Sequence, residues 1–270
     1  MSRARTGAYA FWQLRDYLKD RGVSTIIVAI LTGYLSFESV VKELPFPRVA
    51  DPASSDLIAR FGSVPAVHAA RMGQFNYALL SSSLGALVFV GALFAMNGIV
   101  ANDRKMGFYR FLFAKPVTPT RYYGQAFIVH WLGFLAVMLL LAALYGLVVW
   151  PVVTGALVVV LALMFLAYAG IAFLLSAAAR WDWLSLVAAS LVSVLLWQRF
   201  GASTHPLATL LFLLPPLHRV NEVFASVPGA PGALAPSEIP WPLLAWLAGY
   251  GAACFVAGLV VLRYRRLAIV

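Results

Sequence analysis

Charge is what this sequence has least of. Asp, Glu, Lys and Arg make up 11% of its 270 residues and hydrophobic residues 62%, whereas a soluble domain carries roughly 25% charged residues. A surface facing water on every side does not use such a composition, so part of this one meets lipid. Cysteine is scarcer still. Cys254 stands alone in an apolar run, which excludes an intramolecular disulfide framework or a multi-cysteine metal site and reads as a small packing hydrophobe. His68, His130, His205 and His218 fall in separate segments with no His-Glu-x-x-His among them, so nothing points to a metal ligand set. No Gly-x-x-x-x-Gly-Lys-Ser/Thr loop occurs, and without one the chain has no P-loop site for ATP of its own.

The charge that is present is lopsided, at a net +10. Nucleic-acid binding would need those basic residues massed on a solvated face beside an ordinary core. Here they sit in short gaps between apolar runs, which makes membrane lipid the expected partner and nucleic acid an unsupported one.

A spanning helix needs about 20 mostly apolar residues, and six segments meet or approach that: residues 23–41, 78–101, 127–149, 152–178, 184–200 and 241–262. The first and fifth are the shortest. Residues 127–175 hold no charged side chain, and Trp150-Pro151 is the natural break that folds them into a hairpin. The apolar run 207–214 is too short to cross and stops at Pro215-Pro216. It reads as a re-entrant or interfacial segment within an external region, residues 201–240. With both termini on one side, that side collects fourteen basic and four acidic residues against six and six on the other. Lys and Arg in excess mark the cytoplasmic face, so both termini are expected in the cytoplasm. No small-x-small cleavage pattern follows the first apolar run, which therefore reads as an uncleaved span.

The chemistry-bearing segments lie mainly on that basic side. Over residues 9–21, helical periodicity places Phe11, Leu14 and Leu18 on one face, flanked by Arg15 and Lys19 on one side and Arg21 on the other, and Gln13, Asp16 and Asp20 on the opposite face. This is the pattern of an amphipathic helix in the membrane interface, its basic side chains reaching for headgroups; a plain charged flank of the first span is the simpler alternative. Between the second and third spans, residues 102–124 form a loop in which residues 103–115 have helical periodicity, with Met106, Tyr109 and Phe113 on one face and Asp103, Gly107, Arg110 and Ala114 on another. Pro116 ends that helix, and Val117-Thr118-Pro119 turns the chain back toward the membrane. A short aromatic-rich helix there either seats in a groove of a soluble partner or anchors the loop in the interface.

Few polar residues lie inside the spans. Ser81, Ser82 and Ser83 are placed to cap the second span, Asn97 sits near its other end, and Ser185, Ser190 and Ser193 lie on the fifth. Helix packing is the ordinary use of such residues, and lining a translocation path the other. Gly249 and Ala253 form a small-x-x-x-small pair in the last span. No charged residue stands mid-span, which speaks against an ion-coupled pathway. His218, Arg219 and Glu222 form a small polar group at helical spacing.

The 102–124 loop resembles the cytoplasmic loop of type-2 ABC transporter permeases. That loop typically reads acidic-x-Arg-x-x-Gly-Thr-x-Glu-x-Leu, then a Pro-Val/Ile-Ser/Thr step and an aromatic or apolar residue before Gly-Lys. Asp103, Gly107, Leu112, Pro116, Val117, Thr118, Tyr123 and Gly124 lie on that pattern, with Arg104 at its basic position. Arg110 stands where the family has Glu, and Gln125 where it has Lys. The six-span topology, the amphipathic N-terminal helix and the short run before the last span share the likeness.

The resemblance implies a single all-α permease domain in the bacterial inner membrane, with no cofactor in this chain. Two such subunits, a pair of copies or this chain with a related permease, would sit over two cytosolic ATPase subunits that carry ATP and Mg. The coupling helix would meet the ATPase through Asp103, Arg104, Gly107, Phe108, Tyr109, Arg110, Phe111 and Pro116. It also implies export of hydrophobic or amphipathic cargo. The rival classes are a membrane enzyme acting on lipid-like substrates, with Asp103 and Asp182 the carboxylates near the inner faces, and a non-transporting assembly subunit.

Overall fold

Every regular element among the described residues is a helix, as a chain with so little backbone-solvating surface requires. In hydrocarbon each N–H and C=O must be satisfied within its own segment or by a closed barrel. The computed structural model describes residues 3–48, 52–96, 99–100, 103, 118–178, 182–201, 211, 214, 217–226 and 239–264. In chain order the helices are α1 (Arg3–Asp16), α2 (Val23–Glu43), α3 (Ser55–Phe61), α4 (Val64–Met96), α5 (Pro119–Val148), α6 (Gly155–Ala178), α7 (Asp182–Phe200), α8 (Val220–Ala225) and α9 (Trp241–Tyr264). Five of them, α2, α4, α5, α6 and α9, are long and apolar enough to cross a membrane. The chain is thus an all-helical protein of membrane-spanning build. Helix α7 coincides with the fifth segment expected from sequence, but its apolar portion, Ser185–Phe200, is shorter than those five.

The helices outrun the apolar segments. Helix α4 begins at Val64 rather than near residue 78, and α5 at Pro119 rather than near 127. The second-span estimate fails at its start because Arg71, Gln74 and Asn76 interrupt the apolar run, whereas helix continuity needs only backbone pairing. Consequently Ser81, Ser82 and Ser83 do not cap α4. They lie inside it and donate back to the carbonyls of Ala78 (3.1 Å) and, for the latter two, Leu79 (2.9 and 2.8 Å), the usual way a mid-helix serine satisfies itself. The Trp150-Pro151 break is where the sequence put it: α5 ends at Val148, and Thr154 caps α6 by accepting from the Leu157 amide at 3.1 Å. Thr118 caps α5 likewise, with Pro119 in the first turn.

Helix α6 is the hub. Two-thirds of its apolar window is buried, against 17% for α2, and it packs against α9, α4, α7 and α5. A helix that is apolar all round belongs in such a place. Its closest partner is α9, and the contact is made by glycine. A Cβ at Gly170 would run into the Gly251 carbonyl, one at Gly251 into the α6 backbone at Leu166 and Ala167, and one at Gly258 would come within 2.7 Å of the Phe173 ring. The Gly249–Ala253 pair singled out by spacing is not the contact: a Cβ at Gly249 would meet nothing within 4 Å, and Ala253 is exposed. The register falls two residues later because the buried face of α9 runs Leu244, Leu247, Gly251, Gly258 and Leu262. Rings fill the remaining space, Phe134 stacking on Phe165 at 4.4 Å and Phe127 lying tilted against Phe255 at 4.2 Å.

The region expected to be external contributes to this core. Val220, Val223 and Phe224 on α8 are buried, and α8 packs on α4. In the turn before it, His218 stacks on Trp197 of α7 at 4.6 Å, while Arg219 donates twice to Glu222 at 2.8 Å. The predicted His218–Arg219–Glu222 group thus divides into a ring stack and an exposed ion pair. Most of the 207–214 run lies outside the described residues.

Replacing Gly251 by Leu should lower the unfolding temperature in detergent sharply, since overpacking costs about 1–3 kcal/mol where side chains can shift and more against backbone. Gly249→Leu, pointing into open space, should leave that temperature nearly unchanged.

Candidate functional site

The strongest concentration of polar chemistry lies at the end of the bundle from which residues 97–118 emerge. It is assembled by one continuous helix. Between α1 and α2 the chain does not leave helical backbone; it passes through a π-helical stretch, Tyr17–Gly22. Four-residue steps drift around an α-helix because 3.6 residues make a turn, and the wider i→i+5 turn takes that drift back. Gln13, Tyr17, Arg21 and Thr25 therefore share one face, with Gln13, Tyr17 and Thr25 buried and Arg21 half-buried.

Arg21 reaches across to the last turn of α4 and donates to the carbonyls of Phe94 (2.5 Å) and Ala95 (3.0 Å). The final four carbonyls of a helix have no intrahelical partner and carry its negative dipole end, so a guanidinium is the complementary cap. Thr25 steadies the turn by donating to the Arg21 carbonyl at 2.8 Å. Tyr17 lies over α5, its ring 5.0 Å from that of His130. Gly133 makes this possible: a Cβ there would sit within 2.6 Å of two Tyr17 ring carbons. His130 in turn faces Arg21 and the Ala95 carbonyl. Asp103 joins from beyond α4, accepting from the Tyr123 hydroxyl of α5 at 3.0 Å.

Burial governs the electrostatics of the groups outside the spans. It pushes the Asp103 carboxyl up from 3.8 to about 6, against the opposing pull of the Tyr123 hydrogen bond and the Arg21 charge. Burial likewise pushes the Tyr17 hydroxyl up to about 12, with the nearby Thr25 hydroxyl and the Arg21 charge opposing. Gln13 Oε1 and His130 Nδ1 are buried and unpartnered. The node thus gathers the N-terminal helix, the ends of α4 and α5 and the start of the loop around one guanidinium.

Only part of this was expected. Of the coupling-helix residues, Asp103 is described, and it points to Tyr123 rather than outward; Arg104, Gly107, Phe108, Tyr109, Arg110, Phe111 and Pro116 lie outside the described residues. On the N-terminal helix Phe11 and Leu18 are exposed, as is Arg15, and Leu14 is half-buried. The face that packs on the protein is the one carrying Gln13 and Tyr17. Asn97 lies outside the described residues. Ser193 is buried and Ser185 and Ser190 half-buried on α7, and none of them reaches the node. Tyr17 was not anticipated, and Arg21, Tyr123 and His130 stood in the sequence only as a flank of the apolar stripe, a position on the loop pattern and an isolated histidine; the four-residue spacing of Gln13, Tyr17, Arg21 and Thr25 was the available signal. No protein-family model, curated protein or solved structure matches the chain.

Arg21→Ala should destabilise the fold by about 1.5–3 kcal/mol, the range for hydrogen bonds to a charged donor, measured by thermal unfolding in detergent. The folded chain holds the Asp103 proton at pH values where the unfolded chain has lost it, so stability falls as pH rises from the ordinary carboxylate value through about 6. Asp103→Asn should remove that slope, making the variant more stable than the parent at pH 7.5 and equal to it near pH 4.

Proposed function

We propose that the chain is the membrane-spanning subunit of an ATP-driven exporter of the type-2 ABC kind, with six spans and both termini in the cytoplasm. Helix α7 serves as the fifth of six crossings, the 207–214 run as the re-entrant segment, and the 102–124 loop as the contact with the ATPase. ATP and Mg belong to two cytosolic partner subunits, and a second permease completes the assembly. The cargo is hydrophobic or amphipathic, in keeping with spans that hold no mid-span charge.

One observation carries this reading. The loop is tied at both ends to the same polar node, Asp103 before residues 104–117 bonding Tyr123 after them, next to the Arg21 that grips the end of α4. Force on such a loop reaches α2, α4 and α5 together. A device that converts a partner's closure into movement of spans needs that connection. The exposed apolar face of the N-terminal helical segment, with Phe11 of α1 and Leu18 of the π-helical stretch outward, suits a helix seated in the interface beside the loop. Within the loop, Gly107 would allow close approach to the ATPase, while Phe108, Tyr109 and Phe111 give contact area and Arg104 and Arg110 give charge.

The chain, tagged and extracted gently from native membranes, should bring down a stoichiometric P-loop ATPase, and Gly107→Trp or Arg104→Glu should release it. A chain that purifies without any ATPase would overturn the proposal. Arg21→Ala, which leaves the loop sequence intact, should keep the ATPase bound while cargo export falls.

A further inference from the structure

At the opposite end of the bundle, nearer the Trp150-Pro151 turn, an apolar cleft of about 370 Å³ opens between α2, α4, α5 and α6. That is within the size range of small-molecule sites, roughly 300–1,000 Å³. Helix α2 packs along α4. It is fixed at one end by Arg21 and at the other by Phe37, edge-on to Phe75 at 5.7 Å. On its flank toward α5 and α6 the contact does not close.

Gly33 shows that the gap is built in. Small residues on spanning helices ordinarily let backbones touch, as Gly170 and Gly251 do here. Gly33 lines the cleft instead, and a Cβ added to it would meet nothing within 4 Å. The cleft's serine and one of its tyrosines are already engaged, Ser83 with the Leu79 carbonyl and Tyr145 with Asn76 at 2.6 Å. Water needs two to four polar partners to settle in a cavity, and these walls offer little to hold it. Ile30 and Tyr34, which also line the cleft, are 60% and 63% exposed, so its mouth lies on the surface that meets lipid.

We propose that the cleft holds one acyl chain of a bilayer phospholipid, seated between α2 and the α5–α6 hairpin. The proposal requires only that the chain spans a membrane and is independent of the exporter reading. The test is photolabelling in liposomes made with a phospholipid that carries a diazirine near the end of one acyl chain, with adducts mapped by peptide mass spectrometry. Adducts should concentrate on the cleft walls around Gly33, Ser83 and Leu87. Gly33→Trp should abolish them while leaving labelling at the outward Leu31 and Leu35 intact, and Gly33→Ala should retain them. Should the tryptophan variant not fold, judged by thermal unfolding, Ala29→Leu carries the same expectation. Adducts spread evenly over outward-facing residues, or unchanged in the filled variants, would overturn the proposal, as would disulfide-linked pairs of chains formed through Gly33→Cys.

Discussion

The last turn of α4 presents carbonyl groups with no partner within the helix, and Arg21 satisfies two of them. The rest of the architecture is arranged to deliver that guanidinium. The π-helical turn keeps Gln13, Tyr17 and Arg21 on one face, Gly133 leaves room for the Tyr17 ring, and Thr25 ties down the turn that follows. A charge in this setting is retained only if it is paired or hydrogen-bonded. Asp103 supplies the opposite charge nearby, and the tension between that attraction and its own burial leaves its carboxyl up near 6. One cation thereby joins segments from four separate parts of the sequence.

Elsewhere the bundle relies on shape rather than charge. Lipid offers no hydrophobic gain for bringing helices together, so association depends on close packing. The α6–α9 contact achieves this by removing side chains where the backbones meet. The cleft beside Gly33 uses the same residue type for the opposite result. What distinguishes the two is the facing helix: Gly170 meets the backbone of α9, whereas Gly33 faces a space bounded by side chains.

The helical class and most of the spans were legible because a run of apolar residues is a direct record of the solvent it meets. Helix ends were not, since hydropathy reports the thickness of hydrocarbon, while α4 continues through Arg71 and Asn76 beyond it. The α6–α9 register was missed for a related reason: Gly249–Ala253 and Gly251–Gly258 are equally plausible as spacings, and only the neighbouring helix chooses between them. The polar node was the least legible part. Apart from Asp103 and Tyr123, which lie on one loop pattern, its members, at positions 13, 17, 21, 94, 95 and 130, share no motif and meet only through folding. The apolar stripe of the N-terminal helix drew attention to the face that looks outward, although the polar face is the one that packs.

From Arg3 to Glu43 the chain keeps a helical path, about 60 Å at ~1.5 Å per residue. Such a rod resists bending at a joint, and with only 17% of the apolar window of α2 buried its hold on the bundle rests on the packing against α4 and the anchors at Arg21 and Phe37. Its two halves therefore cannot move separately. A roll of the N-terminal portion, whether from lipid or from a bound protein, would arrive at the far end as torsion, withdrawing Arg21 from α4 and turning the Gly33 face away from its cleft in the same stroke.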